Sequence, residues 1–169
     1  MCDAKLSRAM ARLATAEDLE SLLAITHAAF GEEELRPLVR RLLGHGDVTA
    51  LITDSSGYIF CTECRVSGQM VALLGPLAVA PEVQRQGLGS ALVRRAMEVM
   101  CERGCVAMLV LGDPNYYGRF GFEVTKVRAP YDLPADHEAA WREVHLAEDV
   151  KLEGTLVVPE PWQDAALWG

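Results

Sequence analysis

One passage near the middle of the chain limits the possible folds more than any other. Residues 70–80 are almost continuously apolar, as in a strand covered on both faces. Pro81 helps to end it. A short polar loop follows, and then Gly87-Leu88-Gly89 opens a helix over residues 88–103. Leu88, Leu92, Ala96, Val99 and Met100 form its apolar stripe, with Arg94, Arg95, Glu98 and Glu102 mainly outside it. Gly104 supplies the stop. The N–H groups of a first helical turn have no internal partners and carry the positive end of the macrodipole, so they suit phosphate. Gly87 and Gly89 lack Cβ atoms, which lets the backbone approach a diphosphate closely, and Arg85 adds charge beside it. Taken alone, Gly-x-Gly describes an ordinary turn equally well. Its place between a buried strand and an amphipathic helix favours the phosphate reading.

The flanking segments give the element order. Residues 11–14 read as a short strand. Thr15 begins a helix, with Asp18 where a capping box wants an acid. Leu19, Leu22, Leu23 and Phe30 fall on one face of that helix, and Leu35, Leu38, Val39 and Leu42 mark a second, stopped by Gly44. Strands over 48–53 and 58–65 flank the turn Asp54-Ser55-Ser56-Gly57, and Ser67-Gly68-Gln69 makes another. Residues 106–111 read as a buried strand, parallel to 70–80 through a right-handed crossover. After Phe122, strand-like stretches at 123–127, 143–146 and 155–158 are separated by a loop containing Pro130 and Pro134.

A chain of 169 residues fits one domain over 1–169, with a core over about 11–158. Its 24 acidic residues against 16 basic ones, net charge −8, argue against a nucleic-acid partner. No apolar run reaches the length of a membrane span, and the first residues do not read as an export signal, so the expected location is the cytoplasm and no membrane partner is expected. The five cysteines are Cys2, Cys61, Cys64, Cys101 and Cys105. A strand points Cys61 and Cys64 to opposite faces, so they read as small packing residues and not as zinc ligands, and no metal is expected.

Two strings carry a family resemblance. Gln84-Arg85-Gln86-Gly87-Leu88-Gly89 resembles the Q/R-x-x-G-x-G/A signature of the GCN5-related N-acetyltransferases, the GNAT superfamily. Tyr117-Gly118-Arg119-Phe120-Gly121-Phe122 is similar to that family's Tyr-x-x-x-Gly-Phe ending. The longer string from Gly112-Asp113-Pro114-Asn115 onward, with Leu74-Gly75-Pro76-Leu77-Ala78-Val79, resembles the YhbS-like subgroup.

The resemblance implies a mixed α/β fold: a twisted, mostly antiparallel sheet of about six or seven strands with a splayed parallel pair, flanked by about four helices. It implies acetyl-CoA as cofactor and acetyl transfer to an amine of a small molecule or protein. Acyl-CoA binding without efficient catalysis is the alternative. A homodimer is compatible with either.

The implied cofactor contacts are the backbone of Leu77, Ala78 and Val79, then Gln84, Arg85, Gln86, Gly87, Leu88, Gly89 and Ser90, and also Asn115, Tyr116 and Arg119. The Leu77 N–H would polarise the thioester carbonyl. Tyr117 would act as general acid toward the departing thiolate. For Tyr116 the reading is packing or ligand contact, and for Asn115 a turn role is as fitting as a cofactor bond.

Some family members place a glutamate at the position of Leu73. Here a base must come from elsewhere, or proton removal is left to solvent. Candidates for acceptor contact or base are His27, Glu32, Glu33 and Glu63. Trp141, Trp162 and Trp168 lie in the segment that shapes the acceptor side in the family, with core packing and a loose tail as the plainer reading.

Overall fold

The computed structural model describes residues 11–31, 34–54 and 56–169. Among the described residues there are eight strands: β1 (Arg12–Leu13), β2 (Val48–Thr53), β3 (Gly57–Val66), β4 (Gln69–Val79), β5 (Ala107–Leu111), β6 (Glu123–Val124), β7 (Trp141–His145) and β8 (Leu156–Val157). The four α-helices are α1 (Leu19–Phe30), α2 (Arg36–Leu42), α3 (Leu88–Glu102) and α4 (Pro114–Gly118). The strands form one sheet in the order β1-β2-β3-β4-β5-β7-β6, with β8 paired to β3. This is the mixed, mostly antiparallel sheet with one parallel pair that was expected, and the stretches read at 123–127 and 155–158 shorten to two residues each, β6 and β8. The chain divides into two compact units, Met1–Cys61 with Gly75–Val99, and Thr62–Leu74 with Met100–Gly169.

In the first unit, β1 runs antiparallel to β2 through Arg12↔Ile52 and Leu13↔Leu51. The Asp18 carboxylate accepts both Arg12 guanidinium N–H groups, at 2.9 and 2.7 Å, and the Thr15 N–H at 2.8 Å. These bonds, led by the Arg12 pair, hold Asp18 down at about 2. Helix α1 buries Leu22, Leu23, Ile25 and Thr26, while Leu19 and Phe30 are half-buried at its ends. Helix α2 buries Leu38, Val39 and Leu42. Thr26 Oγ1 donates to the Leu22 carbonyl at 2.6 Å, which spends its proton. The buried Tyr58 hydroxyl therefore donates to Thr26 Oγ1, at 2.7 Å. Burial pushes Tyr58 up to about 12.

In the second unit, β4 and β5 are parallel through Ala72↔Met108 and Leu73↔Leu109. On its other side β5 pairs along its full length with β7, from Ala107↔His145 to Leu111↔Trp141. The C-terminal segment is not a loose tail. Trp168 is 2% exposed and meets Trp141 and Trp162 edge-on at 5.7 and 5.9 Å. All three indole N–H groups are used, toward the Val127 carbonyl, Thr62 Oγ1 and the Trp162 carbonyl. A buried indole needs such a partner, and each finds one inside the unit. The three tryptophans are core residues.

Candidate active site

The first unit carries the glycine-rich loop. Along the end of β4, Pro76, Ala78 and Ala80 are buried while Gly75, Leu77 and Val79 are half-exposed, the alternation of a strand with one open face. A single turn at Pro81–Val83 follows. Gln84 is then extended, with φ −64° and ψ 156°. Arg85 and Gly87 both have positive φ, 64° and 81°. For arginine that conformation is costly, for glycine it is free. Alternating backbone signs of this kind turn successive N–H groups toward one side and make an anion-binding concavity. Helix α3 takes over directly, and its first backbone bond runs from the Ala91 N–H to the Gly87 carbonyl, 3.0 Å. The N–H groups of residues 88–90 precede that bond, at the positive end of a helix of 15 residues.

Gln84, Arg85, Gln86 and Gly87 are exposed, Gly89 and Ser90 half-buried, and Leu88 buried. Gln84 does not simply point outward: its Nε2 donates to the Val79 carbonyl at 2.9 Å. The side chain thereby ties the loop to the strand it leaves. That bond has no signature in the sequence beyond the presence of a glutamine.

The second unit carries Tyr117. Asp113 accepts the Asn115 N–H at 2.9 Å and starts α4, with Pro114 in the first turn. Asn115 is exposed, and its backbone serves the turn. Tyr117 is 9% exposed. Its ring meets Tyr116 edge-on at 5.0 Å and Phe122 at 5.6 Å. Gly112 explains the tight fit: a Cβ there would stand 2.4 Å from Tyr117 Cε2 and 2.9 Å from Cδ2. Sequence reading missed Gly112, because its reason for being glycine is the face of a ring five positions later. Arg119 lies over the Tyr116 ring, 4.7 Å from its centre, an arginine–aromatic stack beside the tyrosine pair.

Among the acceptor and base candidates, His27 is exposed on α1. Glu32 and Glu33 lie outside the described residues. Glu63 on β3 accepts from Arg103 Nε at 2.8 Å, in an ion pair. Leu73 is 2% exposed and apolar. Among the described residues no cluster of three His, Cys, Asp or Glu could hold a metal ion, and no helix is long and apolar enough to cross a membrane.

The comparisons with known proteins agree with this geometry. Residues 46–124, which include the glycine-rich loop and Tyr117, match the acetyltransferase (GNAT) domain model. YjhQ of Escherichia coli strain K12, named an uncharacterized N-acetyltransferase, is 31% identical over 166 residues, covering 89% of this chain and 92% of that protein. The chain belongs to the GNAT acetyltransferase family. A second relative is E. coli K12 YhbS, also named an uncharacterized N-acetyltransferase, 32% identical over 143 residues, with 78% of this chain and 84% of that protein covered. The crystal structure of E. coli YhbS in complex with CoA superimposes on this GNAT chain with a TM-score of 0.81 at 26% identity, covering 92% of each.

Proposed function

We propose that this chain transfers the acetyl group of acetyl-CoA to an amine of a small molecule or protein, by direct transfer in a ternary complex. The observation that carries the reading is the loop at 84–90: two positive-φ residues, one of them an arginine, lead straight into a helix start, the backbone pattern that gathers N–H groups for an anion. YhbS binds CoA in its crystal structure, and family membership supports the same ligand class here.

The residues present fit that ligand. The N–H groups of residues 85–90 hold the diphosphate, Arg85 supplies the nearby cation, and Gln84 holds the loop to Val79. The backbone of Leu77 and Val79, half-exposed residues on either side of the buried Ala78, offers strand-type hydrogen bonds to the amide-bearing arm. Bound acetyl-CoA supplies a thioester whose carbonyl carbon gains a C–N bond as its C–S bond breaks. The Leu77 N–H donates to the carbonyl oxygen as charge builds there. The Tyr117 hydroxyl holds the proton that the leaving sulfur takes up. Leu73 cannot accept a proton, so the amine's proton passes to a base elsewhere in the chain or to solvent.

Turnover of acetyl-CoA over a panel of amines tests the reading, with Tyr117→Phe as control. Removal of a general acid lowers kcat by about 10²–10⁴-fold. The KM for acetyl-CoA should change little. Tight CoA binding with no turnover on any amine would instead support an acyl-CoA-binding module, the role that the apolar Leu73 leaves open.

A further inference from the structure

We propose that Gly57 is a positioning residue for the diphosphate: its missing side chain sets where the first turn of α3 sits. The proposal rests on the acetyl-CoA reading given above.

Gly57 is buried at the start of β3. A Cβ built on it would lie 3.2 Å from Leu88 Cδ2, 3.2 Å from Leu92 Cδ1 and 3.3 Å from the Ala78 carbonyl oxygen. Its φ is outside the left-handed region, unlike that of Gly87. Space, and not backbone freedom, is therefore the reason for glycine here. Leu88 and Leu92 are 8% and 0% exposed and belong to the first two turns of α3. The turn bearing Gly57 thus touches the helix at the residues whose backbone begins it.

The same turn grips the loop at its other end. The Ala80 N–H donates to the Ser56 carbonyl at 2.7 Å, where β4 gives way to the loop. The turn is itself braced, because Ser56 N–H and Oγ both donate to the Thr53 carbonyl, at 2.7 and 3.0 Å. Thr53 Oγ1 donates in turn to the Gly57 carbonyl at 3.3 Å. Loop 81–87 is therefore flanked at its two ends by contacts of Ser56 and Gly57. Strand end, loop and helix start are closest together where position 57 has no side chain. A methyl group there would press on two buried leucines and on the Ala78 carbonyl oxygen, each of which must give by a few tenths of an ångström. The N–H groups of α3 move with them, and hydrogen bonds to phosphate weaken steeply with misalignment.

The test compares two ligands on the full chain. Calorimetry measures CoA, and NMR titration measures pantetheine, which has no diphosphate. A displaced helix start predicts CoA binding weaker by about tenfold in Gly57→Ala, a loss of one or two well-aligned bonds. Gly57→Val should lose more, and pantetheine, which avoids α3 and meets only the strand around the Ala78 carbonyl, should lose clearly less affinity than CoA does. Leu92→Val, which withdraws the Cδ1 atom, should restore part of the CoA affinity when added to Gly57→Ala. A general structural role would weaken both ligands alike and show no such rescue. Unchanged CoA affinity in Gly57→Ala, or equal losses for CoA and pantetheine, overturns the proposal. The wild-type arm separates the two levels: failure of wild type to bind CoA removes the acetyl-CoA reading itself and the proposal with it. Should Gly57→Val fold poorly, Gly57→Ala carries the comparison.

Discussion

The loop of the first unit and the helical turn of the second prepare their proposed functional groups in opposite ways. Residues 84–87 are exposed, their side chains face solvent or the loop itself, and the groups offered are backbone N–H donors set by two positive φ angles. Tyr117 is buried among three aromatic or glycine neighbours, and the group offered is a single hydroxyl fixed by packing. Binding a diphosphate calls for many weak donors on a frame free of side chains. Holding a proton at one place calls for one rigid side chain. Glycine serves both, but for different reasons. Gly87 supplies a backbone conformation, with nothing within 4 Å of a Cβ, whereas Gly112 supplies room for a ring.

Substitutions should separate the two kinds of preparation. The largest effect belongs to Tyr117→Phe, which should cost kcat and spare CoA binding. Gly89→Asp should do the reverse. A carboxylate at the helix start blocks backbone approach and repels the diphosphate, so CoA affinity should fall by about 100-fold, the equivalent of two tenfold steps of 1.4 kcal/mol. Calorimetry on the folded variant checks it, and an unchanged affinity would break the contrast.

Gly112→Ala comes next. The added methyl group overlaps the Tyr117 ring, and overpacking of this kind costs about 1–3 kcal/mol. Urea unfolding should report that loss, together with a lower kcat at unchanged CoA affinity. A fall in CoA affinity with no change in kcat would mean that the ring serves binding instead.

The smallest effect is on alkaline stability. Burial pushes the Cys105 thiol up to about 11, with Glu63 adding to the shift, and pushes Tyr58 up to about 12. Both groups stay neutral in the folded chain after the unfolded chain has begun to ionise, at about 9 for the thiol and 10 for the phenol. The unfolded state then holds fewer protons, so stability falls as pH rises. Urea midpoints should be level with respect to these two groups below about pH 9 and decline from there toward 12. Cys105→Ala should delay the onset to about pH 10, since only the phenol then remains. An unchanged onset in that variant would show that the thiol contributes nothing.

The strand–loop–helix passage was legible in the sequence because its signals are local. Apolar continuity, a proline, two glycines and a 3.6-residue stripe lie within some thirty residues, and each has one physical reading in that order. The parallel pairing of β4 with β5 followed from the helix between them. Gly57 was visible only as a turn residue, because its contacts are with Ala78, Leu88 and Leu92, far along the chain. Glu63 looked free because its partner Arg103 is forty residues away. Ile25 and Thr26 were missed on α1, Thr26 because its hydroxyl is satisfied by Leu22 and Tyr58 and so is buried at little cost. The tryptophans gave no local period at all, and their grouping depends on where Trp168 returns.

The most direct measurement is calorimetric titration of the folded protein with CoA and acetyl-CoA, run beside ATP and NAD. Saturable binding of the two coenzyme A forms, with neither nucleotide competing and with loss in Gly89→Asp, is the expected result. A folded protein that takes up no heat from either form at millimolar concentration would contradict it.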